Sequence, residues 1–79
     1  MKPLLNLTGE FYLPADMAIL DEVGEVLEPD APLDLSDEAA AVAALAGYAG
    51  ISDLIVLLRD AAAVPRVRRA LPRAEIVTL

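Results

Sequence analysis

Short aliphatic runs alternate with helix-like stretches along the chain. Four runs, at residues 4–7, 32–35, 54–58 and 76–79, have the length and composition of β-strands. The three intervening segments have helical features, so the pattern predicts a β-α-β-α-β-α-β order. Strands that alternate with helices are joined by right-handed crossovers and form a largely parallel sheet. We therefore expect one α/β domain over residues 1–79, with four strands in a mostly parallel or mixed sheet and three helices.

The first predicted helix spans residues 16–28. Apolar residues occupy one side of its helical wheel, and the other side holds Asp21, Glu22, Glu25 and Glu28. The proline that follows would end the helix. We expect the acidic side to face solvent or a basic partner, so these four residues are candidate partner-binding residues.

The second predicted helix begins near Ser36 and continues through the alanine-rich residues 39–46. Ser36 is expected to cap a free backbone N–H, with acidic residues in the first turn. Asp34, Ser36 and Asp37 are also candidates for a partner contact. Ser36 is a candidate phosphorylation site, because a phosphate group suits the positive end of a helix.

Residues 54–58 allow two interpretations. The β-branched Ile55 and Val56 favour a buried strand, whereas Leu54, Leu57 and Leu58 also have helical spacing. In the helical case, residues 51–71 resemble a HEAT repeat, a helix pair that stacks on neighbouring repeats and cannot fold alone. The strand-like character of both chain ends favours the α/β alternative.

A third helix is expected to begin at Pro65, because proline suits the first helical turn. Pro72 would end it. The helix would direct a candidate basic patch outward, formed by Arg66, Arg69 and Arg73.

The composition removes most catalytic chemistry. The chain has no Cys and no His, which excludes thiolate nucleophiles, Ser-His-Asp triads and the usual zinc sites. It has no glycine-rich phosphate-binding motif, and its carboxylates lack the clustering of a cation site. We expect a protein that is not an enzyme, with no cofactor, no metal and no small-molecule substrate.

Apolar residues make up 57% of the chain, above the roughly 45–50% of typical soluble domains. This surplus predicts a protein partner or a homo-oligomer. The net charge of −7 is uneven, because residues 1–50 hold one cation and ten acids while residues 51–79 hold five arginines and three acids. The charges form either a solvated surface of paired groups or a polarised surface for head-to-tail or mixed-partner contacts. The acidic total disfavours nucleic acid.

Residues 39–58 form a long apolar stretch that is interrupted only by Ser52 and Asp53. Much of the stretch is Ala and Gly, and a central aspartate is costly in a bilayer. We therefore expect no membrane span. The N-terminus lacks the apolar core of a signal peptide, so a cytoplasmic location is expected.

Three parts of the chain resemble the N-terminal half of STAS domains, the sulphate-transporter and anti-sigma-factor-antagonist family. They are the segment Leu7-Thr8-Gly9-Glu10-Phe11-Tyr12-Leu13-Pro14-Ala15, the amphipathic helix and the segment Pro32-Leu33-Asp34-Leu35-Ser36. Residues 54–58, Val67-Arg68-Arg69-Ala70-Leu71 and the last run are similar to the C-terminal half. The family's Asp-Ser-Ser-Gly type of phosphorylation turn is missing, and only Ser36 stands in its place. The resemblance implies a regulatory, non-catalytic protein–protein interaction domain. The alternative is a structural subunit of a larger assembly, with the apolar surplus as a permanent interface.

Overall fold

Four parallel strands form a single sheet in the computed structural model, which describes residues 1–9 and 21–79. The strands are β1 (Lys2–Asn6), β2 (Val23–Leu27), β3 (Ile55–Leu58) and β4 (Glu75–Thr78). The described helices are α1 (Glu38–Leu45) and α2 (Val64–Ala70), with 3-10 turns at Ala46–Tyr48 and Ala61–Ala63. The order across the sheet is β2-β1-β3-β4, and every pair is parallel. The prediction of a small α/β domain with a four-stranded sheet is confirmed.

Both faces of the sheet are buried at its two central strands, β1 and β3. The first face packs against side chains of both helices in a cluster of Leu5, Leu45, Leu54, Val56, Leu58, Val67 and Leu71. The second face holds a smaller buried cluster of Leu4, Ile55 and Leu57. A strand that is buried on both faces has no polar side, which explains the uninterrupted apolar sequence of β3.

The two helices lie on the same face of the sheet. The connections from β2 to β3 through α1 and from β3 to β4 through α2 cross the sheet in the same direction. Right-handed crossovers that run in one direction place their helices on one face. The helices also meet through an ion pair, in which Arg69 Nε lies 2.6 Å from Glu38 Oε1.

The helix predicted over residues 16–28 is wrong where the structure describes it, because Val23–Leu27 is strand β2. The error has a physical cause in a bulge. Lys2 pairs with Val23 and Pro3 with Glu25, so Gly24 is an extra residue in β2. The bulge brings Val23 and Val26 to the same face although they are three residues apart, and this spacing imitates a helix. The first part of the predicted helix lies outside the described residues.

The strand predicted over residues 32–35 is also wrong, since this segment is a loop. Pro32 has no N–H for a ladder, and the Asp34 side chain bonds to the backbone of Ser36 as a local turn. Leu33 and Leu35 still pack against the first core cluster. The alternation of apolar and polar residues in this segment therefore reflects partial burial of the two leucines and not a strand.

Residues 54–58 contain strand β3, so the strand interpretation of this run is confirmed and the HEAT-like alternative is wrong. Helix α2 has proline in its first turn, as predicted. Two helices of the expected three are described. The long apolar stretch at residues 39–58 is divided among α1, a 3-10 turn and β3. In the described ranges, no helix is both long and apolar enough to cross a bilayer.

Candidate functional site at the carboxyl edge of the sheet

The carboxyl ends of the strands define the first place to look for a site. The chain leaves β1 for β2 on one side, and β3 lies on the other side of β1, so the direction of the connections reverses between β1 and β3. In open α/β sheets, ligands bind beyond the carboxyl ends of strands at such a reversal. The loops at residues 7–9, 28–37 and 59–63 line two clefts at this edge.

The cleft beside β2, which we call the β2 cleft, has a volume of about 480 Å³. Its walls come from the loops after β1 and β2, and its lining residues are Asn6, Leu7, Thr8, Gly9, Glu28, Pro29, Asp30, Ala31, Pro32, Leu33 and Leu35. Most of the described lining is apolar, and the two charged residues in it, Glu28 and Asp30, are both acidic.

The cleft beside β3, which we call the β3 cleft, has a volume of about 360 Å³. It shares three leucines with the β2 cleft, and its lining residues are Leu7, Leu33, Asp34, Leu35, Ser36, Leu58, Arg59, Asp60, Ala63 and Arg66. Two arginines and two aspartates balance its formal charge.

Asn6 fixes the loop that follows β1. It is the only polar residue buried within the described ranges, and its Oδ1 accepts hydrogen bonds from Thr8 N at 3.0 Å and from Thr8 Oγ1 at 2.7 Å. This is an Asx-type turn. The chain then continues through Gly9 with a φ of 81°, a conformation that suits glycine.

Asp34 and Ser36 form a second turn of the same kind. Asp34 Oδ1 accepts a hydrogen bond from Ser36 Oγ at 2.6 Å and another from Ser36 N at 3.0 Å. The side-chain bond, followed by the backbone bond, lowers the pKa of Asp34 below its ordinary value of 3.8. A carboxylate with a lowered pKa is a weaker general base, so this pair is poorly suited to activate the Ser36 hydroxyl.

Ser36 does not cap helix α1, and this prediction is wrong by one residue. The helix begins at Glu38, so Asp37 occupies the cap position and its carboxylate accepts from Ala40 N at 2.7 Å. Serine and aspartate both make good caps, and sequence alone does not choose between neighbours. The three candidates Asp34, Ser36 and Asp37 do lie together at the start of α1.

Two further contacts hold the loops of the β3 cleft. Asp60 Oδ1 accepts from Ala62 N at 2.9 Å and caps the 3-10 turn after β3. Arg66 on α2 donates from Nε to the carbonyl oxygen of Leu35 at 2.5 Å. Arg66 therefore connects α2 to the loop that carries Ser36.

The predicted acidic residues share one edge of the sheet, although the expected helix is a strand. Asp21 and Glu22 precede β2, Glu25 lies within it and Glu28 follows it, and all four are exposed. Among the ion pairs of the described residues, Glu22 has a cationic neighbour, since its carboxylate lies 3.4 Å from Lys2 Nζ. We call Asp21, Glu22, Glu25 and Glu28 with strand β2 the acidic edge.

The predicted basic residues do not form one free patch. Arg66 binds a loop carbonyl and Arg69 pairs with Glu38, while Arg73 is exposed in the loop before β4. Two of the three arginines, Arg66 and Arg69, therefore make contacts within the protein. Of these three arginines, Arg69 is the one whose ion pair the structure describes, and its partner Glu38 lies on α1 and not among the acids at residues 21–28.

Sequence reasoning missed Asn6 and Asp60 as site residues. Each lies at or just after the carboxyl end of a buried strand, where a polar residue in parallel sheets reaches the ligand-binding edge. That signal was present in the sequence. Within the described ranges, no group of three or more Asp or Glu residues is placed to hold a metal ion.

The fold and its edge define a class, a small parallel α/β domain with strand order β2-β1-β3-β4 and pinned loops at the carboxyl edge. Comparison with protein-family models, with curated proteins and with solved structures finds no match for this chain.

Proposed function

We propose that this chain is a non-catalytic protein-interaction domain whose acidic edge binds a basic, extended segment of a partner protein. The regulatory role that the STAS resemblance implies is part of this proposal. The observation that carries it is the exposure of β2, the outermost strand on its side of the described sheet. Gly24, Glu25 and Val26 are all exposed, and Val26 has a fractional exposure of 46%.

An outer strand has backbone N–H and C=O groups that can pair with another chain. Proteins use such edges to bind extended peptides, with main-chain hydrogen bonds for affinity and alternate side chains for specificity. In β2, the exposed Val26 offers an apolar contact between Glu25 and Glu28. The edge therefore offers both components of strand addition.

The negative charge of the acidic edge favours a partner segment of positive charge. Residues 21–31 hold five acids and no cation, so two acidic edges repel each other when they approach. A partner segment rich in Lys or Arg is instead attracted to the acidic edge. This attraction increases the rate and the specificity of association. The same glutamates that oppose pairing between copies thus favour a basic partner.

A binding role without catalysis is supported by how the polar groups of the carboxyl edge are used. The oxygens of Asn6, Asp34 and Asp60 accept hydrogen bonds from their own loops. The chain contains neither Cys nor His to serve as a nucleophile or base. These groups stabilise a surface more readily than they perform proton transfer.

A synthetic peptide that alternates lysine with valine tests this proposal. We expect it to protect the outward-facing amides of β2, those not directed toward β1, from hydrogen exchange and to shift the NMR signals of Val23–Leu27, because strand addition orders this edge. A peptide with proline in the middle cannot form the ladder and should bind weakly. A glutamate–valine peptide should not bind.

A matched pair of variants locates the effect. Glu25→Gln on β2 should weaken binding of the lysine–valine peptide about threefold, in keeping with one exposed charge contact. Glu75→Gln removes the same charge from β4, the opposite outer strand, and should leave the affinity unchanged. Equal binding of the proline peptide, or equal effects of the two variants, would show that the attraction is only nonspecific charge.

A further inference from the structure

We infer that the β2 cleft is a pocket for one basic side chain, a lysine or arginine, of the partner segment that pairs with β2. This inference rests on the proposed function and adds the chemistry of the anchor residue. The cleft and the acidic edge are continuous, because Glu28 directly follows the last residue of β2 and lines the cleft.

The position of the cleft fits an anchor. A segment paired along β2 continues past Leu27 toward the loop of residues 28–33, which forms much of the cleft lining. Side chains of an added strand alternate, so every second residue has access to the same side. One side chain beyond the paired stretch can therefore enter the cleft without disturbing the ladder.

The chemistry of the cleft fits an amphipathic cation. Its wall includes Leu7, Pro29 and Leu33, and the carboxylates of Glu28 and Asp30 are exposed beside it. Lysine and arginine bury an aliphatic stem on apolar surface while the charged end stays at a polar rim. An arginine can in addition form forked hydrogen bonds with a carboxylate.

The two clefts differ in charge, and the difference argues against an acidic anchor. Arg59 and Arg66 line the β3 cleft, whereas the described lining of the β2 cleft contains no Lys or Arg. An anionic side chain in the β2 cleft would meet Glu28 and Asp30, and no Lys or Arg in the described lining would offset their charge. The arrangement excludes an acidic residue there and favours a basic one.

The described lining of the β2 cleft is partly restrained before binding. Asn6 pins Thr8 through two hydrogen bonds, and Pro29 and Pro32 have restricted backbone angles. A preformed pocket lowers the ordering cost of association. This supports a defined pocket for one side chain over a diffuse charge contact.

Norleucine scanning of the lysine–valine peptide tests the inference. Norleucine keeps the aliphatic stem and removes the charge. We expect one lysine position to lose about tenfold in affinity when replaced, and the other positions to lose less.

In the variant Glu28→Gln with Asp30→Asn, the same replacement should have no further effect. The control variant Asp53→Asn with Glu75→Gln removes two exposed acids elsewhere and should retain the tenfold difference.

The outcomes separate this inference from the proposed function. If the peptide protects β2 but every lysine contributes equally, the pocket is wrong and strand addition stands. If no protection of β2 occurs, the proposed function fails as well. Self-association of the protein through this edge, seen as a mass increase without peptide, would also overturn a basic partner as the occupant.

Discussion

Ser36 and Asp34 show how two residues set the local electrostatics of the carboxyl edge. The Asp34 carboxylate accepts two hydrogen bonds from Ser36, and these bonds lower its pKa in the folded protein below 3.8. A lowered folded-state pKa means that the contact stabilises the fold above the ordinary pKa. This stabilisation is lost as the pH falls through the lower, folded value.

We predict that Ser36→Ala raises the pKa of Asp34 toward 3.8. The substitution removes the side-chain hydrogen bond, which lowers this pKa more than the backbone hydrogen bond does. Carboxyl carbon NMR over an acid titration measures this directly. Ser52→Ala removes an exposed hydroxyl from another turn and should not change the titration of Asp34. A wild-type Asp34 that titrates at or above 3.8 would contradict the Asx-turn geometry.

At the scale of elements, a substitution at Gly24 tests whether the residues around it form a strand or a helix. A Cβ at residue 24 would lie 2.6 Å from the Cβ of Met1, closer than side chains normally approach. We predict that Gly24→Ala destabilises the protein by about 1–2 kcal/mol, near the lower end of overpacking costs because Met1 is exposed and can partly yield. Were these residues helical, the same change would stabilise by about 1 kcal/mol.

Urea denaturation measures the sign of this effect. Gly47→Ala provides the control, because the new Cβ meets nothing within 4 Å and the backbone angle is not in the left-handed region. This substitution should be neutral or stabilise by up to about 1 kcal/mol. A Gly24→Ala protein that is more stable than wild type would overturn the assignment of β2.

The elements that sequence predicts well are those whose signals are local. The run at residues 54–58 contains β3, and the alanine-rich segment at 39–46 overlaps α1. Strand β2 was missed because its bulge depends on pairing with Lys2 and Pro3, some twenty residues away in the chain. Registers of this kind arise from tertiary contacts, and periodicity within one segment does not contain them.

The candidate site was predictable only in part for the same reason. Exposure of the four acids follows from their polarity and was expected, whichever element carried them. The clefts combine loops from three separate parts of the sequence. Their assembly depends on the strand order, in which β1 lies between β2 and β3. That order has no signature in the individual segments.

At the scale of the molecule, the structure gives a different account of the apolar surplus. The sequence contains 15 alanines, one third of its 45 apolar residues. Many of them are exposed on the described helices and turns, where a methyl group adds little apolar area. Large exposed apolar side chains in the described ranges are Met1 and Leu79, outside the strands, Val26 on β2 and Val42 on α1. In the described part of the chain, the apolar surplus therefore does not by itself require a large permanent interface.

We predict that the 79-residue chain is a folded monomer. Its accessible surface of 4974 Å² lies within about a tenth of the area that size scaling gives for 8.3 kDa, so the single chain is as compact as a folded domain of this mass. Repulsion between acidic edges further opposes pairing between copies. Light scattering during size-exclusion chromatography should give the monomer mass at low and at high salt, with an unchanged circular dichroism spectrum on dilution.

The same measurement decides between the interaction domain and the structural subunit. A structural subunit with a permanent interface would remain a multimer on dilution and would separate only as it unfolds. In that event Val26→Ser and Val42→Ser would identify the interface, since Val26 lies on β2 and Val42 on α1. Dissociation by Val26→Ser alone would place the permanent contact on the acidic edge and leave no free strand for a basic partner. A monomer whose β2 amides exchange rapidly until the lysine–valine peptide is added would instead show an open strand available for regulated binding.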